Sequence, residues 1–178
     1  ISAKIDEYEK ERKQSQIVIN DLKKEVVFLS KSVVTLESRL ESQEQYLRRN
    51  CILFHGCKED KNEDTDKAAI KIFNEEMDLE IDPKDIDRSH RIGKLKNDKS
   101  RPIIVKFTSY RNRKKVFSSK RRLKGKNVSI TESLTAFRMK KLSEARENFG
   151  FKNVWTYDGK IFYKESSDVT EKPKVFFS

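Results

Sequence analysis

The sequence predicts an α+β protein in which a long N-terminal helix precedes two small domains that combine strands and helices. Residues 1–47 contain neither Pro nor Gly and carry an apolar heptad repeat. From Arg48 to Ile130, short apolar runs of strand type alternate with helical periodicity, and Asp158-Gly159 later separates two further strand-like runs. With 178 residues, of which 35% are hydrophobic and 39% charged, the chain cannot form one compact core throughout.

The heptad repeat of residues 1–47 predicts a parallel coiled coil. Its a positions are Ile5, Ile19, Val26, Val33 and Leu40, and its d positions are Tyr8, Leu22, Leu29 and Leu36. A single helix cannot bury such a stripe against itself, so we expect self-association with other copies of the chain. β-Branched residues at a with Leu at d favour two strands, but the pattern leaves dimer and trimer open.

Residues 48–130 predict a domain with the element order strand, helix, strand, strand, helix, strand. The expected strands are Cys51–Gly56, Asp85–Ile92, Arg101–Phe107 and Val128–Ile130, with a polar loop over Gly93–Ser100. The first helix carries Ala69, Ile72, Phe73 and Met77 with Asn62 or Asp64 as N-cap, and the second runs from Ser109 to about Lys120. This order is typical of the ferredoxin-like βαββαβ fold.

Residues 131–165 predict a small helix and hairpin domain. Thr131, Ser133 or Thr135 caps a helix that runs to about Phe149, and Gly150 suits the position after its end. Two strands, Asn153–Tyr157 and Lys160–Lys164, flank the Asp158-Gly159 turn, and Trp155 is expected in the hairpin core. Residues 166–178 are interpreted as a loose tail, in which Val175–Phe177 can dock.

Charge is distributed unevenly along the chain. Between Arg88 and Lys126 sixteen bases face one acid, Asp98, for a local net charge of +15, whereas Cys57–Asp87 has twelve acids and five bases, a net of −7. The total is +11, although residues 1–47 are nearly neutral. This pattern favours a positive face that binds a polyanion; the alternative is a solvated basic surface without a partner.

Several classes of function are disfavoured by the residues present. No apolar run approaches the length of a membrane span, so no membrane partner is expected. Cys51, His55 and Cys57 do not match a common zinc spacing, and His90 has no evident catalytic partner. The acids around Asp85 are not set as in a two-metal nuclease, and no phosphate-binding glycine loop occurs. We therefore predict no enzyme activity, no metal and no cofactor.

Four motifs in a fixed order support a family resemblance. They are RRNCILFHG from Arg48, SHRIG from Ser89, RPIIVKF from Arg101 followed by Tyr110 and Arg113, and VWTYDGKIFY from Val154. With the preceding coiled coil, this layout resembles the first-open-reading-frame proteins of LINE-type retrotransposons and is similar to the few-polyhedra protein of baculoviruses. The likeness extends over essentially the whole chain, and the motifs do not separate the two.

The resemblance implies an oligomeric protein that holds single-stranded RNA, or DNA as the alternative, between an RNA-recognition-motif-like (RRM-like) domain and a C-terminal domain. It implies RNA coating and nucleic-acid chaperoning in a cytoplasmic ribonucleoprotein particle, with the nucleus as the alternative location. Trp155 is an additional candidate contact. The candidate nucleic-acid-binding residues are Arg48, Arg49, Arg91, Arg101, Lys106, Arg113, Arg138, Lys141 and Tyr157.

One departure from the RNA-recognition pattern concerns base stacking. The third-strand positions that usually hold stacking aromatics correspond here to Pro102 and Ile104, and Phe54 on the first strand can face either way. We therefore expect phosphate contacts to dominate, with weak sequence specificity and a steep salt dependence. The rival interpretation is a structural coiled-coil scaffold, viral or cellular, whose basic face contacts acidic proteins.

Overall fold

The computed structural model describes residues 2–94, 100–165 and 170–178, with side chains from Lys4 onward. The chain forms two compact units, Ile1–Gln43 and Glu44–Ser178. A long helix is followed by two antiparallel sheets, which confirms the mixed α+β class. The middle of the expected Gly93–Ser100 loop and the start of the expected tail lie outside the described residues, as does Ile1.

Helix α1 runs without interruption over Ser2–Leu47. All of its described heptad positions are exposed to solvent, and Leu22, Val26, Leu36 and Leu40 each expose more than half of their surface. The apolar stripe is therefore not buried by α1 itself, and the coiled coil stays a prediction. Among the described residues, no helix combines the length and the apolar character needed to cross a bilayer.

The first sheet has four antiparallel strands in the order β2-β3-β1-β4. Strand β1 lies at the centre and pairs with β3 (Cys51 opposite Lys106) and with β4 (Leu53 opposite Thr131). Helices α2 and α3 connect β1 to β2 and β3 to β4. The bounds are β1 Cys51–His55, β2 Ile86–Arg91, β3 Ile103–Phe107, β4 Ser129–Glu132, α2 Thr65–Lys71, extended by a wider turn over Ile72–Glu76, and α3 Tyr110–Ser118.

One face of this sheet packs on α2 and α3 because alternate strand residues are apolar. Phe54, Phe73 and Phe107 are fully buried, with the Phe54 and Phe73 ring centroids 5.3 Å apart in an edge-to-face arrangement. The helices start where short polar side chains cap them: Asp64 accepts from the N–H groups of Asp66 and Lys67, and Ser109 accepts from that of Asn112. Phe54 thus faces the core.

The second sheet has three antiparallel strands in the order β5-β6-β7, with helix α4 on one side. Their bounds are α4 Ala136–Phe149, β5 Val154–Tyr157, β6 Lys160–Tyr163 and β7 Lys174–Phe177. Thr135 caps α4. The core between α4 and the second sheet includes Leu142, Val154 and Ile161. Trp155 lies on the opposite face, stacked with Phe162 at 6.2 Å, instead of in the expected hairpin core.

Strand β7 corrects the expectation of a loose tail for residues 174–177. Phe162 pairs with Val175 and Tyr163 with Lys174, so these tail residues complete the second sheet. Phe176 packs edge-on against Phe149, with centroids 6.1 Å apart, and Phe177 against Phe137 at 5.5 Å. Partial burial of these two aromatic rings is the physical reason why the polar segment ends in a strand.

Glu132, the last residue of β4, joins the two sheets. Its carboxylate accepts a hydrogen bond of 2.5 Å from Nη2 of Arg113 on α3, and its two oxygens lie 3.3 Å from the backbone N–H of Gly159 in the β5–β6 turn. Arg138 of α4 donates to the Gly159 carbonyl at 2.8 Å. Gln45 donates to the Ser133 carbonyl and accepts from the Thr135 N–H. Buried polar contacts therefore hold the second sheet against the first.

Candidate nucleic-acid interface

The side of the first sheet that α2 and α3 leave uncovered is called the open face. Strand alternation places on it residues from all four strands, because the neighbouring positions point into the core. Leu53, Ile104, His55 and Lys106 are half-buried there, while Arg88, His90, Ser129 and Thr131 are exposed. The open face is thus a solvated, mixed apolar and cationic surface.

Three cations, Arg88 of β2, Lys106 of β3 and Arg48 of the turn between α1 and β1, lie near Cys51 at one end of the open face. Burial raises the pKa of the Cys51 thiol, and the positive charges of Lys106, Arg48 and Arg88 act on it in the opposite direction. Arg88 pairs across the strands with Lys106, which in turn pairs with Cys51. We call Arg48, Arg88 and Lys106 the cationic corner.

The members of the cationic corner are held differently. Arg48 forms an ion pair of 2.7 Å with Glu44 one helical turn before it, and Lys106 forms one of 2.7 Å with Asp87. Both pairs are more than one-third exposed, so each contributes little stability and can be exchanged for a phosphate at small cost. Among the described residues Arg88 has no carboxylate within ion-pair distance.

The centre of the open face is apolar and hydroxylic instead of aromatic. Leu53 and Ile104 are cross-strand neighbours, and His55 Nε2 lies 2.9 Å from the Thr131 hydroxyl oxygen. Burial lowers the pKa of His55, which favours its neutral form. None of the described side chains on this face is a Phe, Tyr or Trp, so the rings that it offers for base stacking are the imidazoles of His55 and His90.

Arg91 and Arg101, both predicted as nucleic-acid contacts, are engaged in ion pairs of the domain, Arg91 with a buried side chain and Arg101 with one that is 32% exposed. Arg91 binds both carboxylate oxygens of Glu63 at 2.6 and 2.7 Å, and its side chain is only 4% exposed. Arg101 donates to Glu59 at 2.9 and 2.5 Å. These hydrogen bonds lower the pKa of Glu63 and of Glu59, so both arginines anchor the acidic loop after β1 to the sheet.

Arg113 and Arg138 are also buried, in the polar junction between the sheets. Arg113 is 3% exposed, bonded to Glu132, with its guanidinium 4.6 Å above the Phe117 ring. Arg138 bonds to Gly159 and lies 5.2 Å from the Phe177 ring centroid. In this geometry both side chains stabilise the fold and do not reach the solvent-exposed surface.

The remaining candidate residues are accessible. Arg49 is exposed and stacks over the Tyr46 ring at 3.8 Å, and Tyr157 is 44% exposed. Lys141 is bonded to Glu144 at 2.7 Å on the surface of α4. The structure therefore places Lys106 on the open face and Arg48 in the turn before β1, with both charges acting on Cys51, whereas Tyr157 and Lys141 belong to the second sheet and its helix.

Arg88 is the surface residue that motif reasoning missed. It lies at the start of the basic segment Arg88–Lys126, but its importance becomes clear only when the face of β2 that it occupies is known. Ser89 and Arg91 bond to Asp66 and Glu63 at the α2 side, so Arg88 and His90 must point to the open face. The alternation of side-chain direction along the strand sequence IDRSHR was the signal that could have placed Arg88 on this face.

The cysteines and acids offer no metal centre among the described residues, where no group of three His, Cys, Asp or Glu side chains is close enough to hold an ion. Cys51 and Cys57 are both free and buried. Burial raises the pKa of Cys57 to about 11, so its thiol stays protonated at neutral pH.

No protein-family model matches this sequence, and the comparison with curated proteins finds no match.

Proposed function

We propose that this chain binds single-stranded nucleic acid, with RNA as the ligand, on the open face of its first sheet. The observation that carries the proposal is the cationic corner, where the register of β1, β2 and β3 places Arg88 and Lys106 side by side next to Cys51, close to Arg48 in the preceding turn. Strand order β2-β3-β1-β4 with two helices on one face supports an RRM-like domain. No catalytic step is part of this proposal.

Phosphate contacts supply the affinity in this proposal. The open face has cations at one end and hydroxyl groups of Ser129 and Thr131 at the other, while its centre is aliphatic. Such a surface binds the phosphate backbone of a single-stranded nucleic acid. Its contacts with the sugars and bases are loose and do not read the base edges. It accounts for weak sequence preference and for binding that falls steeply with salt.

Replacing Arg88 and Lys106 together by Gln is expected to weaken binding of single-stranded RNA about tenfold at moderate salt. Each lost phosphate contact should also reduce the slope of log affinity against log salt by about 0.7. Fluorescence anisotropy of a labelled oligouridylate across a salt series measures both quantities.

The matched control for this pair is Lys67→Gln with Lys71→Gln, which removes the same charge from α2 on the covered side of the sheet. The control should retain the affinity of the parent chain to within about twofold, apart from the small effect of net charge. Equal losses in both double variants would contradict the open face as the binding site. Absence of saturable RNA binding to the parent chain would favour the structural scaffold instead.

Self-association through α1 is the second part of the proposal. The exposed heptad positions of α1 place an apolar stripe in water, which a second or third copy can cover. Several cationic corners on one assembly would then bind one RNA with avidity.

Deleting residues 1–43 is expected to convert the oligomer into a monomer and to weaken binding to a long RNA about a hundredfold through loss of avidity. Light scattering measures the mass, and anisotropy the affinity. The unit Glu44–Ser178 retains both sheets and the cationic corner, so binding to a short oligonucleotide should change little. Unchanged mass, or equal affinity for long RNA, would remove the avidity argument.

The biological role that fits these properties is that of a LINE-type first-open-reading-frame protein, which coats RNA and acts as a nucleic-acid chaperone in a ribonucleoprotein particle. The layout of coiled coil, RRM-like domain and C-terminal domain supports this role. Strand-annealing assays with complementary oligonucleotides test the chaperone activity directly, and a chain that binds RNA without accelerating annealing would exclude it.

A further inference from the structure

A cationic groove runs along the outer side of β4, away from the cationic corner. It encloses about 590 Å³, and its lining includes Lys120, Arg121 and Lys124 together with Ser129 of β4 and the apolar side chains Leu123 and Val128. Strand β4 is at the edge of the sheet, so the groove lies where no further strand pairs.

The five cations of residues 120–126 divide into two groups. Arg122 donates to the carbonyls of Met77 and Asp78, and Lys126 forms an ion pair with Glu76, so these two hold the segment to the end of α2. Lys120, Arg121 and Lys124 line the groove instead. Within the described residues, none of these three has a carboxylate within ion-pair distance.

Among the described residues, Lys120 has no carboxylate within ion-pair distance in the groove. Its ammonium nitrogen lies 3.9 Å from the Phe117 ring centroid, and burial together with the charges of Arg113 and Arg121 lowers its pKa. Glu132, whose negative charge acts on Lys120, is already bonded to Arg113 and Gly159. An anion in the groove would therefore remove an unfavourable concentration of positive charge.

We propose that this groove is a second phosphodiester site, which takes the backbone of the same single strand after it has crossed the open face. Ser129 belongs to both surfaces: it lines the groove and is the cross-strand partner of His55 on the open face. A single-stranded RNA that leaves the open face over β4 therefore enters the groove directly. The inference rests on the proposed function and extends its footprint from one surface to two.

The test compares two oligouridylates, of about 4 and about 16 nucleotides, which bracket the site sizes of single-strand-binding folds. The variant Lys120→Gln, Arg121→Gln, Lys124→Gln removes the charge and leaves a polar side chain at each position. Its matched control is Lys58→Gln, Lys67→Gln, Lys71→Gln, whose lysines are at least 69% exposed in the acidic segment and α2. We expect the groove variant to bind the long oligonucleotide about tenfold more weakly and the short one nearly normally.

A second measurement, photocrosslinking from 4-thiouridine placed at the far end of the long oligonucleotide, should label peptides that contain residues 120–130. If both oligonucleotides bind but the groove variant behaves like its control and the peptides are unlabelled, the groove is not a site and the proposed function stands. Equal weakening for both lengths overturns the extended footprint. If neither oligonucleotide binds the parent chain, both proposals fail.

Discussion

Replacing Arg113 by Met is expected to lower the free energy of unfolding by about 3–5 kcal/mol, because it leaves a buried carboxylate without its partner. Arg113 and Glu132 expose only 3% and 1% of their side chains, and the bond between them is 2.5 Å long. After the substitution the Gly159 N–H is the one hydrogen-bond donor that Glu132 retains among the described residues. Urea denaturation followed by circular dichroism measures the loss.

A double-mutant cycle with Glu132→Gln isolates the ion pair. Gln retains an acceptor for the Gly159 N–H but removes the charge, so the double variant should lose less stability than the two single variants together. Lys126→Met is the surface control, since its partnership with Glu76 is about two-fifths exposed and should contribute about 1 kcal/mol or less. Strict additivity of Arg113→Met and Glu132→Gln would show that the pair contributes no coupling.

Gly56→Ala is expected to cost about 3 kcal/mol or more, the sum of backbone strain and a steric clash. Gly56 follows β1 with φ at +83°, a conformation that L side chains rarely adopt. A Cβ at this position would lie 1.9 Å from the Asn127 carbonyl oxygen. Because that oxygen belongs to the backbone before β4, the strand itself would have to shift. Thermal unfolding of the variant measures the cost.

Gly125→Ala is the matched control because its φ is nearly the same, +85°, and none of the described residues has an atom within 4 Å of an added Cβ. It should cost only about 1–2 kcal/mol, from the left-handed conformation alone. The difference between the two variants measures the clash between β1 and the chain before β4. Similar losses would mean that the neighbouring backbone relaxes freely.

The fold was predictable where its signals are local. Asp64 and Ser109 cap helices because a short polar side chain precedes an apolar period, and Asp158-Gly159 specifies the hairpin through its turn conformation. Strand β7 was harder to predict from the sequence, since its pairing with β6 depends on packing of Phe176 and Phe177 against aromatic rings that are distant in the chain. Such long-range contacts leave no periodic pattern in a four-residue strand.

The candidate site was predictable as a charged region but not as a set of side chains. Sequence alone does not reveal that Arg91 meets Glu63 and Arg101 meets Glu59, because these partners lie 28 and 42 positions apart. Motif order favoured these arginines as ligand contacts, while the structure commits them to ion pairs. Arg88 has no such partner among the described residues. It can be recognised as a candidate contact only when the strand face that it occupies is known.

The ion pairs of the acidic loop also bear on the speed of encounter with a polyanion. Arg91 and Arg101 hold Glu63 and Glu59 at side-chain exposures of 14% and 17%, so the repulsive charge of these two acids is neutralised before a ligand arrives. Arg88 and the lysines of α3 remain in water. Folding thus separates the chain into regions where positive and negative charges are paired and regions where positive charges face the solvent. Electrostatic steering should then make the association rate, more than the dissociation rate, depend on ionic strength.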